Sequence, residues 1–150
     1  MEARRKGRRP HERTVAYRLP PSQPSAPHRL TVLDAEPRRW HVYVVDLAPR
    51  VGTKPGKQRP CVAIQPSEFA AAGHPSTVIL PLTTHVVAED AFPLRIRVPA
   101  GTAGLSRDSD ILVDQMLAWD NTLFREELGL LPEALQDQIR AALLEFLDLV

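Results

Sequence analysis

Only one cysteine, Cys61, occurs in the 150 residues, which excludes an intramolecular disulfide and any metal site built on paired cysteines. It sits in the apolar run Cys61-Val62-Ala63-Ile64, the setting of a small buried thiol rather than a reactive one. No apolar stretch approaches the roughly 20 residues that a membrane-spanning helix needs. The basic N-terminus lacks the apolar segment of a signal peptide, so a cytoplasmic protein with no membrane association is expected. His41, His74 and His85 show no paired ligand spacing, and neither a metal nor another cofactor is expected. The phosphate-cradling loop that ends in Gly-Lys-Ser/Thr, the dinucleotide-binding GxGxxG and the serine elbow GxSxG are all missing, which removes the corresponding nucleotide and hydrolase classes.

What is present divides the chain in two. Its formal net charge of +1 conceals ten Lys/Arg against four Asp/Glu in residues 1–39, net +6, and nine against fourteen thereafter, net −5. The first 37 residues combine Arg4, Arg5, Lys6, Arg8, Arg9 and Arg13 with Pro20, Pro21, Pro24, Pro27 and Pro37, and show neither helical nor strand period. That composition predicts a disordered tail over 1–37. Such an arm can attract nucleic acid through phosphate charge, with strong salt dependence, but a non-functional extension or translation from too early a start codon is the simpler explanation.

From Trp40 onward the grammar is one of strands and turns, and 38–150 reads as one domain. Strands are expected at His41–Leu47, Pro60–Gln65, Ser76–Leu82 and Phe92–Val98, the last alternating Phe92, Leu94, Ile96 and Val98 with Pro93, Arg95 and Arg97. At least one more is expected within Asp110–Ala118, followed by a turn or short helix over Asn121–Leu131 with Gly129 as a break. Pro132 and Glu133 suit a helix start, and Leu135, Ile139, Leu143, Phe146 and Leu147 then mark one apolar helical face. The expected class is α+β, a small, strongly curved sheet or partly open barrel with a C-terminal amphipathic helix.

Three clusters can carry chemistry. The loop Gly52 to Pro60 holds Thr53, Lys54, Lys57 and Arg59, and Arg59, at its rigid end, can grip a phosphate through its planar fork of donors. A solvated connection with Arg59 in a surface ion pair is the plain alternative. Strand three ends in Thr83, Thr84 and His85, which can bind phosphate or ribose oxygens and exchange protons, or simply form a backbone turn. Asp114 and Gln115 are polar residues inside an otherwise apolar strand, either as structural hydrogen-bond partners or as site residues.

Taken in order, these segments resemble the MazF/PemK toxins, including the Kid-type plasmid toxins. The resemblance rests on Val45-Asp46-Leu47, Pro49-Arg50-Val51-Gly52, Lys57-Gln58-Arg59-Pro60, Pro81-Leu82-Thr83, Val98-Pro99-Ala100-Gly101, Gly104 to Ser109, and Asp114-Gln115, and covers about residues 38–149. It implies an SH3-like, partly open β-barrel, usually a homodimer, neutralised by a cognate antitoxin. The implied activity is metal-independent cleavage of single-stranded RNA at short preferred sequences, through attack of a 2′-OH and a 2′,3′-cyclic phosphate. Arg59, Thr83 and Asp114 match the catalytic positions, with Thr53, Lys54, Lys57, Thr84, His85 and Gln115 as substrate contacts.

Two departures stand out. Lys54 falls where many members carry a glutamate, which leaves Asp114 or His85 to act as base. Trp40-His41 replaces a frequent Gly-Asp/Glu before the first strand. The cations Lys54, Lys57, Arg59, Arg95 and Arg97 can form a local positive groove on the acidic core. The alternatives are a toxin that inhibits DNA gyrase by protein binding, as the related CcdB fold does, and a degenerate member that binds RNA or an antitoxin without cleaving.

Overall fold

The computed structural model describes residues 33, 35–48 and 57–149. The tail to residue 32 and the loop 49–56, with Thr53, Lys54 and the motif at 49–52, lie outside the described residues. Among the described residues seven strands are formed: β1 (His41–Ala48), β2 (Lys57–Ala63), β3 (Ser76–Thr83), β4 (Arg95–Val98), β5 (Ser109–Leu112), β6 (Leu117–Asp120) and β7 (Phe124–Leu130). A short helix α1 (Ser67–Ala71) links β2 to β3, and α2 (Glu133–Phe146) follows β7. All pairings are antiparallel, in the order β4-β5-β3-β2-β1-β7, with β6 also on β3.

The strands bury both faces. One face of the sheet carries Val42, Val62, Ile64, Leu80, Leu82, Ile96, Val98 and Ile111, and α2 lays Leu135, Ile139 and Ala142 into the same core. The other face is the barrel interior, where Tyr43, Val45, Cys61, Ala63, Ile79 and Phe124 pack together with Leu117 and Trp119. Each fully buried side chain of this size is worth about 1.5–3 kcal/mol. The alternation of side chains along β1 to β3 is what divides the two cores. Burial pushes the Cys61 thiol up to about 12, an inert thiol at neutral pH. The barrel stays open between β6 and β7, and the Trp119 indole N–H spans the interior to the Asp46 carbonyl on β1 at 2.8 Å. This is the α+β, partly open barrel that the sequence led us to expect.

Trp40 keeps the turn into β1 in the left-handed region, at φ 69°, although it has a side chain. That conformation costs about 1–2 kcal/mol for a non-glycine residue. The buried indole offsets it, with the Arg39 and Arg140 guanidiniums 4.6 and 5.2 Å from the ring and backbone bonds from Trp40 N to Ala63 O and from Leu131 N to Trp40 O.

Four sequence expectations need correction. Asp110–Ala118 is two strands separated by a 3-10 turn, Val113–Gln115. Both strands pair with β3, at Leu82↔Ile111 and Ile79↔Leu117, so six residue steps of one chain span three of the other. The surplus leaves the sheet and takes Asp114 and Gln115 with it. Phe92–Val98 is strand only from Arg95, because Pro93 has no N–H for a ladder and Leu94 and Arg95 donate to Ala91 O in a turn. Phe92 and Leu94 are accordingly exposed. Asn121–Leu131 is mostly strand β7, preceded by a 3-10 turn, Asn121–Leu123. Phe146 and Leu147 are exposed because the apolar stripe of α2 runs past the core it covers.

Gly129 does not break the chain. It lies within β7, where an added Cβ would sit 2.7 Å from the Ala103 carbonyl carbon, while a Cβ on Gly104 would sit 2.1 Å from Leu128 O. The turn that carries Gly104 therefore packs directly on the β7 backbone, and only glycine permits that approach. Gly104→Ala should cost about 3 kcal/mol and Gly129→Ala about 2 kcal/mol. Gly101→Ala, at φ 90° but with open space around it, should cost only about 1 kcal/mol. Urea midpoints of the three variants at constant slope check the order.

Candidate functional site

A fork between β2 and β3 creates the main cleft. Ile64 donates its N–H to Val78 O, which sets the direction of the backbone groups: Val62 and Pro60 turn theirs toward β3, and Leu80 and Leu82 turn theirs toward β2. Pro60 has no N–H for the Leu82 carbonyl, and the ladder stops at Cys61↔Pro81. Beyond that point β2 continues with β1 and β3 with β5, so the two halves of the sheet part. The open cleft between them has a volume of about 230 Å³ and is walled by Lys57, Gln58, Arg59 and Pro60 on one side. Leu82, Thr83, Thr84, His85 and Ser109 form the other. It is smaller and more open than an enclosed small-molecule pocket of some 300–1,000 Å³, and suits one linkage of an extended chain.

Register places the polar side chains in one row. The pairings Arg97↔Asp110 and Asp110↔Thr83 are direct, so these three side chains lie on one face. Arg59 lies two residues before Cys61 on β2 and Thr83 two beyond Pro81 on β3, so both keep the face of the last pair, Cys61↔Pro81, and stand across the fork as walls of the same cleft. Thr83 Oγ1 accepts the His85 N–H at 3.1 Å, which occupies one lone pair and leaves the hydroxyl proton free to donate. The plain reading of Thr83 and Thr84 as a turn is thus correct for one acceptor and leaves the donor available. Among the described residues no carboxylate lies within ion-pair distance of Arg59.

The chain can now be set beside known proteins. Residues 38–147 match the family model described as PemK-like, MazF-like toxin of type II toxin-antitoxin system. This chain belongs to that family. The endoribonuclease MazF6 of Mycobacterium tuberculosis is 32% identical over 111 residues, covering 74% of this chain and 96% of that protein. The endoribonuclease EndoA of Bacillus subtilis is 27% identical over 106 residues, 71% of this chain and 90% of that one. Among solved structures, a MazE-MazF crystal structure from Deinococcus radiodurans shares the fold with a TM-score of 0.63 at 21% identity, covering 78% of this chain and all of the matched one. A mycobacterial endoribonuclease in complex with its cognate antitoxin matches at a TM-score of 0.58 and 18% identity, covering 76% and 97%.

In this member of the PemK/MazF family, Arg59, Thr83, Lys57, Thr84 and His85 meet at the cleft, whereas Asp114 and Gln115 do not line it. Both are exposed on the 3-10 turn, with Asp114 four residues beyond Asp110, up to about 13 Å along the chain from the Thr83 level. The reading of them as polar residues inside a strand fails for the surplus-length reason given above. Arg95 and Arg97 are not free cations of a groove either. Arg97 Nε donates to Asp110 Oδ1 at 2.7 Å and Arg95 to Oδ2 at 3.1 Å. Among the described residues the positive charge at the cleft itself comes from Lys57 and Arg59.

Sequence reasoning missed Gln58, Ser109 and above all Asp110, which is 1% exposed. The signal for Asp110 was available: two arginines at alternate positions of one strand need a carboxylate on the next. Desolvation works to raise its pKa, but the bonds from Arg97, the Val87 N–H and Arg95 outweigh it and hold the carboxyl below its ordinary value. A depressed folded pKa gives stability that is complete above the unfolded value of about 3.9 and is lost as pH falls through the folded one. Asp110→Asn should therefore cost about 2–3 kcal/mol at pH 7, discounted because both guanidiniums reach solvent. The gap between wild type and variant should close in acid below pH 4. Denaturant midpoints from pH 2 to 7 measure it.

Proposed function

We propose that the fork between β2 and β3 is the site at which this toxin cleaves single-stranded RNA without a metal ion. The observation that carries the reading is the opposition of Arg59 and Thr83 across the fork, within a chain of the PemK/MazF family whose relatives are named endoribonucleases. A ribose 2′-OH attacks the adjacent phosphorus, the bond to the 5′-oxygen breaks, and a 2′,3′-cyclic phosphate and a 5′-OH result. Arg59 neutralises the charge that gathers on the phosphorane and supplies a proton to the departing oxygen, while the Thr83 hydroxyl donates to a non-bridging oxygen. With Lys54 where relatives often carry glutamate and Asp114 outside the cleft, His85 takes the proton of the 2′-OH. Lys57, Gln58 and Thr84 contact neighbouring parts of the strand.

As to partners, the chain acts as a cytoplasmic homodimer held inactive by a cognate antitoxin; the mycobacterial and Deinococcus structures named above contain such pairs. The gyrase-binding alternative draws no support from the relatives. Purified protein should cut a long RNA in excess EDTA and leave cyclic-phosphate ends. Arg59→Ala should lower kcat/KM by about 10²–10³-fold, and Thr83→Val should lower it less than Thr83→Ala with Arg59→Ala combined. His85→Gln should lower kcat by about 10²-fold or more. Sequencing of the cleavage ends reads the cut sites and end chemistry, initial rates on a short RNA read the fold-changes, and full activity of Arg59→Ala would reject the site.

A further inference from the structure

Asp110 lies outside the chemistry just described, yet it is the most heavily bonded side chain near the cleft. Its carboxylate accepts from Arg95, Arg97 and the Val87 N–H. The same two arginines reach onward to the backbone of the segment after β3: Arg95 donates to His85 O at 3.0 Å, and Arg97 to Val87 O. With the His85 N–H on Thr83 Oγ1, every backbone polar group of His85 and Val87 is bonded to a side chain of the cross-strand row or to Arg95. Thr84, His85 and Val86 are themselves exposed, and no side chain of Thr84–Val87 belongs to either buried core. A segment with so little buried apolar surface takes its conformation from its hydrogen bonds, and here all of them trace to Asp110 or Thr83.

We infer that Asp110 is a positioning residue that fixes the segment Thr84–Val87, whose Thr84 and His85 wall the cleft, and, through the His85 N–H, the direction of the Thr83 hydroxyl, so that it sets which nucleotide is accepted beside the scissile linkage. This rests on the ribonuclease reading above. One buried carboxylate anchors two guanidiniums, and each guanidinium then has a fixed donor to spend on one carbonyl of the segment. Remove the carboxylate and both arginines swing to solvent, the Val87 N–H loses its acceptor, and His85 is no longer held against Thr83. The wall then samples many conformations, and a mobile wall discriminates poorly between bases. Because the hydroxyl of Thr83 loses its orienting donor at the same moment, turnover suffers more than binding.

The test compares wild type, Asp110→Asn and Arg97→Gln, with Ile139→Val as a control that loosens the α2 core on the other face of the sheet. Two readouts are used: amide hydrogen exchange at His85 and Val87, and cleavage-site preference with kcat and KM on a randomised RNA. For both row variants, exchange at the two amides should quicken at least ten-fold while Ile139→Val leaves it unchanged. Cleavage sites should broaden, and kcat should fall about ten-fold with KM changed less than three-fold. Unchanged exchange, or quickened exchange with wild-type site preference and kcat, overturns the inference. Equal broadening in Ile139→Val also overturns it, since general loosening would then suffice. Should Asp110→Asn not fold, Arg97→Gln decides on the same two readouts. A wild type that cuts no RNA rejects the ribonuclease reading instead, and the exchange rates, which need no RNA, still decide whether Asp110 holds the wall.

Discussion

Pro60 can offer no N–H to the carbonyl of Leu82, and much of the molecule's functional geometry follows from that missing donor. In an antiparallel ladder each hydrogen-bonded pair of residues exchanges two bonds, and a pair that can make only one is a natural place for strands to part. Here they do part, one pair beyond Cys61↔Pro81. Pro81, in the middle of the long strand β3, is tolerated for a related reason. Its nitrogen faces the side where β5 and β6 hand over, and where the intervening 3-10 turn has left the sheet. Two prolines thus mark the two places where the sheet opens.

The opening is useful because the sheet remains rigid on either side of it. β2 is held by β1, and β3 by β5. Side chains at the strand ends are therefore presented from fixed backbones. Thr83 belongs to the buried architecture on one side and to the cleft on the other. Its oxygen closes a local turn while its proton remains unspent. The acidic excess of the domain is not felt evenly here, because Asp110 is already matched by Arg95 and Arg97, while Lys57 and Arg59 stand at the cleft.

Much of this was legible before any fold was in hand. Strands β1 to β3 and the helix α2 follow from runs of β-branched residues and from an apolar spacing of three and four, and Arg59 with Thr83 followed from the family's ordered motifs. The loss of Asp114 and Gln115 from the cleft was not legible, since it depends on how many residues of β3 lie between two partners. Nor was the role of Gly129, which looks like a chain break until the Ala103 backbone is seen to rest on it.

The sequence by itself determined the class, the family and the residues with the right chemistry at the ends of strands, because periodicity, turn residues and local motifs are properties of neighbours along the chain. The tertiary structure alone decided which of those residues meet. Register joined Arg97, Asp110 and Thr83, the parting of β2 from β3 set Arg59, 51 positions before Asp110, across the cleft from Thr83, and a surplus of three residues expelled Asp114. Both outcomes turn on hydrogen-bond pairing between distant segments, and that pairing is fixed only when the two cores close and each strand is left a single register that buries its apolar face.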